Sequence, residues 1–199
     1  MVFDQFLEYM HLGGSIMWII LALSILAITI VIERIIFFAF SSADLKSLKE
    51  AFAGISGGEP PVVKGSVQRL LSVARECWDS SDEKLSLRLE GEVRGELYRW
   101  ERNLPLLEII TRVSPLLGLL GTVVAMVDMF GAMSIGGAIN AEEVTGGIWK
   151  ALLTTIAGLS VAIPALIAHG ILISAVSREE ATLEQAVTFI LSKREEKAL

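Results

Sequence analysis

Between Ser15 and Ile32 the chain reads SIMWIILALSILAITIVI, 18 residues without a charged side chain, and after Glu33 and Arg34 the apolar run resumes from Ile35 to Phe38. About 20 apolar residues are what a helix needs to cross a bilayer, and in lipid only a helix or a closed barrel satisfies its own backbone N–H and C=O groups. Two further stretches share this character. Val113 to Ile139 holds no Lys or Arg and one acid, Asp128, while Ala151 to Val176 has His169 as its only titratable residue. With 53% hydrophobic and 20% charged residues among 199, and a mean hydropathy of +0.60, the whole chain is richer in apolar residues than a soluble domain tolerates. The expected fold class is an all-α membrane protein with three transmembrane helices, at 15–38, 113–135 and 150–176. The third stretch, at about 1.5 Å per residue, outruns a hydrocarbon core of about 30 Å, so it tilts or protrudes on the cytoplasmic side.

Lys and Arg placement sets the direction. None precedes the first span, 12 lie from Arg34 through Arg112, none lies between Gly131 and Trp149, and four follow at Arg178, Lys193, Arg194 and Lys197. The positive-inside rule puts 1–14 and the loop 136–149 outside, and the region 39–112 and the tail 177–199 in the cytoplasm, an N-out, C-in topology. The first residues carry Asp4 and Glu8 but no Lys or Arg, unlike a signal peptide, so Ser15 onward reads as a retained anchor. The inner region opens with a helical stretch after Ser42, breaks at Gly54 and at Gly57 to Pro61, and so suggests a helical hairpin. From Ser81, a candidate N-cap, apolar residues recur every three or four positions: Leu85, Leu89, Val93, Leu97, Trp100, Leu104 and Leu107. That helix is expected to run straight into the second span, bent at most by Pro105 and Pro115.

Several function classes drop out. A net charge of −6 and the lack of any basic stretch interleaved with aromatics exclude nucleic acid as an expected partner. Cys77 is the only cysteine, which excludes an intramolecular disulfide and a cysteine-based zinc site. No G-x-G-x-x-G, Walker or H-E-x-x-H motif is present, and His11 and His169 fall on opposite sides of the membrane. No catalytic residue, metal or cofactor is expected, and the chain reads as a non-enzyme. Neither inverted repeats nor broken helices suggest a solute transporter.

What remains informative is small and weakly polar. At about 100° per residue, Ala151, Thr155, Gly158, Ala162, Ala165 and His169 fall within about 40° of one line on the third span. Gly118, Thr122, Ala125 and Met129 share a face of the second. Such stripes have two readings: close helix packing, as small-x-x-x-small patterns allow, or the wall of a pore in which the Thr122 and Thr155 hydroxyls hold water. Asp128 and Lys150 are the costly residues. Placing Thr122 and Thr155 level puts the two charges about 9 and 7.5 Å further out, at similar depth. They read as an ion pair within or between subunits, as exposed interfacial charges, or as part of an ion relay. His169 is either an inner-interface side chain reaching for water or a proton group at the inner end. Glu33 and Arg34 read as an interfacial anchor pair, with Glu33 alternatively facing a neighbouring helix. Neither stripe carries a carboxylate, so a second polypeptide would have to supply a proton-carrying acid.

The residues Glu101 to Leu104, the run VSPLLGLLGTVVAM from Val113, the stretch GIWKALLTT from Gly147 with AGL and AIPA after it, and Val31 to Arg34 together resemble the MotA/TolQ/ExbB proton-channel family across all three spans. The resemblance implies a bacterial inner-membrane protein. It implies a homo-oligomer, a pentamer, around the single spans of an ExbD-like dimer whose membrane aspartate carries the proton. It also implies an ExbB-like stator subunit that energises a TonB-like protein for outer-membrane transport, with Thr122 and Thr155 in the pore wall beside Ala151, Gly158, Ala162 and Gly118. Three spans and a modest inner region argue against a flagellar stator, and Val31 to Arg34 lean toward ExbB over TolQ, which serves envelope maintenance. Relative to the family pattern Lys150 replaces a frequent glutamate and Asp128 a frequently uncharged residue, so a role given to that glutamate does not carry over. A non-conducting membrane scaffold is the reading from another class.

Overall fold

The computed structural model describes residues 9–41, 65–78, 80–136 and 141–198, all helical or in short connections. Among the described residues five helices follow one another: α1 (Ser15–Ser41), α2 (Ser66–Glu76), α3 (Asp82–Glu101), α4 (Leu104–Gly136) and α5 (Ala141–Ala198). Three stretches of helix are long and apolar enough to cross a membrane, so the chain is an all-helical, multi-pass membrane protein. The helical stretch expected after Ser42 and its Gly/Pro break lie outside the described residues.

By internal contacts the chain divides into two units, residues 1–32 with 103–170, and residues 33–102 with 171–199. In the first unit α4 and α5 turn small residues toward one another, while α1 buries Met17, Ile20 and Ile30 beside Ala27. Ala27, Ala125, Ala151, Ala162 and Ala165 are buried, whereas Leu116, Val123, Val127, Ile156, Ile163 and Ile167 are more than half exposed. A soluble bundle would show the reverse. In lipid the large aliphatic residues gain nothing by turning inward, and contact between backbones holds the helices instead.

The second unit is built the ordinary way. Val67, Leu70 and Leu71 of α2, Leu85, Leu89 and Val93 of α3, and Leu183, Ala186 and Ile190 of α5 form one buried cluster. Ser81 caps α3 by accepting a hydrogen bond from the Lys84 N–H, and Asp82 and Glu83 occupy the first turn, where the helix dipole favours negative charge. Glu96, fully buried, is held by Arg69 and Arg99. Arg194 of α5 pairs with Asp82 at 3.0 Å and donates to the Ser80 carbonyl, tying the last turns of α5 to the start of α3.

One expectation changes. The helix beginning at Ser81 does not run straight into the second span: it ends at Glu101, and α4 begins at Leu104. Arg102 (φ −51, ψ 134) leaves the helical region and Asn103 (φ 66) takes a left-handed conformation, which asparagine tolerates better than most residues. Meanwhile α5 already begins at Ala141, inside the segment read as an outer loop, and runs 58 residues without interruption through the third span into the tail. Helix ends and membrane boundaries are different things, so the span limits remain an expectation.

Candidate functional site

The approach of α4 to α5 is set by four glycines. A Cβ on Gly118 would lie 3.0 Å from the Thr154 carbonyl oxygen and 3.1 Å from the Thr155 Cα; on Gly158, 2.5 Å from the Ser114 carbonyl oxygen and 3.1 Å from the Gly118 Cα. On Gly121 it would lie 2.5 Å from Thr154 Oγ1, and on Gly147 3.0 Å from Met129 Cβ. A larger residue would press on backbone at Gly118 and Gly158, and on the Thr154 and Met129 side chains at Gly121 and Gly147. Gly118, Gly158, Ala151 and Ala162 are accordingly buried in contacts within the chain.

Thr122 and Thr155 flank this seam, both half-buried. Thr122 Oγ1 donates to the Leu119 carbonyl at 2.6 Å, a bond to its own helix. Thr155 Oγ1 reaches across to the Gly118 carbonyl at 3.5 Å, a long contact between helices. Each hydroxyl thus spends its proton on a carbonyl and keeps lone pairs that can accept from water. Sequence reasoning passed over Thr154. Fully buried, it packs on Gly121 while its Oγ1 donates to the Ala151 carbonyl at 2.8 Å.

Toward the Gly136 end of α4 and the Ala141 end of α5, Lys150 Nζ stands 3.2 Å from Asp128 Oδ2, Lys150 being 31% and Asp128 60% exposed. The ammonium also lies beside Gly14, at 3.8 Å from where a Cβ would be, and Gly14 adopts φ +72, a conformation glycine takes without strain. The charges of the second and third spans therefore neutralise each other within one chain. His169 is half-buried on the same side of α5 as Ala151, Gly158, Ala162 and Ala165. Among the described residues no group of three or more His, Cys, Asp or Glu is placed to hold a metal ion.

Sequence reasoning treated Glu33 and Arg34 as an anchor, but the structure gives Arg34 a larger part. It is 2% exposed, its Nε donates to Glu33 Oε2 at 2.7 Å, and its Nη1 donates to the carbonyls of Arg99 at 2.9 Å and Trp100 at 3.4 Å. Those are carbonyls of the last turn of α3, which lack helical partners and attract positive charge. The guanidinium lies 4.7 Å from the Phe37 ring centroid, and the Trp100 ring packs on Phe37 and Phe38. The aromatic pair after Arg34 and the tryptophan ending α3 were the only local signals.

Residues 57–185 match the model of the MotA/TolQ/ExbB proton channel family. The chain belongs to that family. Among curated members, biopolymer transport protein ExbB-like 3 of Synechocystis sp. is 32% identical over 186 residues, covering 87% of each chain. ExbB-like 1 of the same organism is 33% identical over 189 residues, 88% of this chain and 72% of the relative. The Tol-Pal system protein TolQ of Haemophilus influenzae is 27% identical over 164 residues, 78% of this chain and 72% of the relative. Membership is thus closest in kind to ExbB. The family is one of proton channels.

Proposed function

We propose that this chain is an ExbB-like stator subunit of the bacterial inner membrane, lying N-out and C-in. In this reading five copies surround the single spans of two ExbD-like chains, and proton flow through the assembly energises a TonB-like protein for transport at the outer membrane. The chain acts as a channel subunit and not as an enzyme. Thr122 and Thr155 line the path, while Gly118, Gly158, Ala151 and Ala162 form the close-packed backing of that wall, and His169 lies near its inner end.

The observation that carries the reading is the charge pattern of the spans. The one acid of the second span, Asp128, is paired with Lys150 in the same chain, so no carboxylate is left over there to relay protons. A channel built of this chain alone would lack a carrier; a partner with an acid in its own span supplies one. The exposed aliphatic faces of α1, α4 and α5 fit lipid and neighbouring subunits, as the assembly requires.

Two measurements test this. The first is the mass of the intact complex in lipid, with the chain expressed alone and beside a small single-span partner; five copies with two of the partner is the expected result, and another stoichiometry without a partner would favour a non-conducting scaffold. The second is proton flux in liposomes carrying Thr122→Val and Thr155→Val, near-isosteric changes that remove the hydroxyl. Each is expected to leave assembly intact and lower flux by about tenfold, the scale of one lost hydrogen bond to a developing charge. Unchanged flux in both would remove the threonines from the path. The similarity to TolQ over 78% of this chain favours envelope maintenance as the second reading, and co-purification with a TolA-like rather than a TonB-like protein distinguishes it.

A further inference from the structure

Within the second unit, the face of α3 that points away from the core carries charge of one sign. Lys84, Leu87, Arg88, Arg94 and Tyr98 all lie within about 60° of the Gly91 line, opposite the buried Leu85, Leu89, Val93 and Trp100. No acid of α3 falls in that arc. Leu87 is 66% and Tyr98 78% exposed, so the face also offers apolar surface. Gly91 and Gly95 leave bare backbone between them: a Cβ on either would meet nothing within 4 Å. Each costs the helix interior about 1 kcal/mol relative to alanine, with no return inside the chain.

On α5, in the same unit, an exposed face has the opposite sign. Ser177, Glu180, Ala181, Glu184 and Thr188 are all exposed and lie within about 50° of one line, an arc shared by no Lys or Arg of residues 174–198. Among the described residues Lys84, Arg88, Arg94, Glu180 and Glu184 form no ion pair. Both faces look away from the core that α3 and α5 share, so one chain cannot close them on each other.

We propose that these faces join neighbouring copies of this chain: the cationic face of α3 in one copy seats against the acidic face of α5 in the next. The inference rests on the ring of copies proposed above and names the contact that closes it. Two unlike faces that complement each other make a head-to-tail contact, which continues around a ring and does not stop at a pair. The register supports it. Asp82 pairs with Arg194, while at the other end Ser66 donates to Glu179 at 2.6 Å and Arg69, one turn further along α2, pairs with Glu96. The helices α3 and α5 therefore run antiparallel. Counting from Asp82 and Arg194, Gly95 is level with Ala181, and Arg94 lies between the heights of Glu180 and Glu184, about 3 Å from each along the axis. A ring axis running along the helices preserves those heights in the neighbouring copy. The bare backbone at Gly95 then meets the small Ala181, and the Arg94 guanidinium reaches both carboxylates.

The test is disulfide cross-linking in isolated membranes that hold two tagged versions of the full chain, both with Cys77→Ala. One version carries Gly95→Cys and the other Ala181→Cys. Mild oxidation is expected to join them, with about tenfold more product than either cysteine gives alone, or than Gly95→Cys gives with Arg178→Cys, about 110° further round α5. Equal yields would overturn the proposal, as would Gly95→Cys joined to a different protein instead. Arg94→Glu in the first version should cut the product about tenfold, and Glu180→Arg with Glu184→Arg in the second should restore it. A yield indifferent to these reversals would also overturn it. The mass of the Cys77→Ala chain in lipid separates this inference from the stator reading. Five copies without the cross-link sink the inference alone, and single copies sink both.

Discussion

Along α5 one spacing serves two solvents. Buried positions recur every three or four residues from Ala151 through Thr154, Gly158, Ala162 and Ala165 in the first unit, and through Leu172, Val176, Glu179, Leu183, Ala186 and Ile190 in the second. The period hardly changes, but the residues do. In the first set they are small and let α4 approach to backbone contact; in the second they are mostly large, and Leu183, Ala186 and Ile190 fill a core with Leu70, Leu85 and Leu89. In water, removing aliphatic surface from solvent supplies the attraction, at about 25 cal/mol per Å². In lipid that term vanishes, and contact distance takes its place.

If the first unit is held by proximity and the second by buried area, opposite substitutions should harm them. The largest effect is expected from Gly158→Leu, whose side chain would meet the Ser114 carbonyl: about 3 kcal/mol or more lost, read as thermal unfolding in mild detergent. A variant as stable as the wild type would mean that α4 and α5 are not held by proximity. In the second unit the harmful change is truncation, and Leu89→Ala is expected to lose about 3 kcal/mol, measured by denaturation followed at the tryptophans. Glu96→Gln, which leaves Arg69 and Arg99 without their shared carboxylate, should cost about 2 kcal/mol in the same assay. Smallest is Asp128→Asn, about 0.5 kcal/mol, since the pair with Lys150 is largely exposed at the carboxylate. A loss there as large as that of Leu89→Ala would make the pair a structural pillar of the first unit.

How much of this the sequence discloses follows the same division. Hydropathy alone gives the three apolar helices, because crossing lipid constrains every residue in a run. The Ser81 cap is legible because capping is local. The interruption at Asn103 is not. Apolar spacing continues through it, and the proline rule that would flag Pro105 applies equally to Pro115 and Pro164, which sit within unbroken helices. The Arg99 carbonyl just before it accepts from Arg34, 65 residues earlier, and no local pattern announces so distant a partner. The stripe on the third span is visible on a helical wheel, but not which neighbour it faces. Nor can a wheel choose between Thr154 and Thr155, which fall about 60° and 40° to either side of Ala151. Gly121 settles that choice by leaving room for Thr154. Asp128 and Lys150 were placed at one depth by counting residues outward from the threonines, and the structure has them in contact at 3.2 Å.

The glycine seam has an electrical consequence. A gap in which even a methyl group at Gly118 or Gly158 would collide with backbone cannot admit a water molecule, whose share of liquid volume is about 30 Å³. Protons hop along files of water or titrating groups, and the seam between α4 and α5 has room for neither. It is insulation. In the proposed assembly the current keeps to the flank where Thr122 and Thr155 stand, because a leak between the two helices of one chain is closed off by the tightness of their packing.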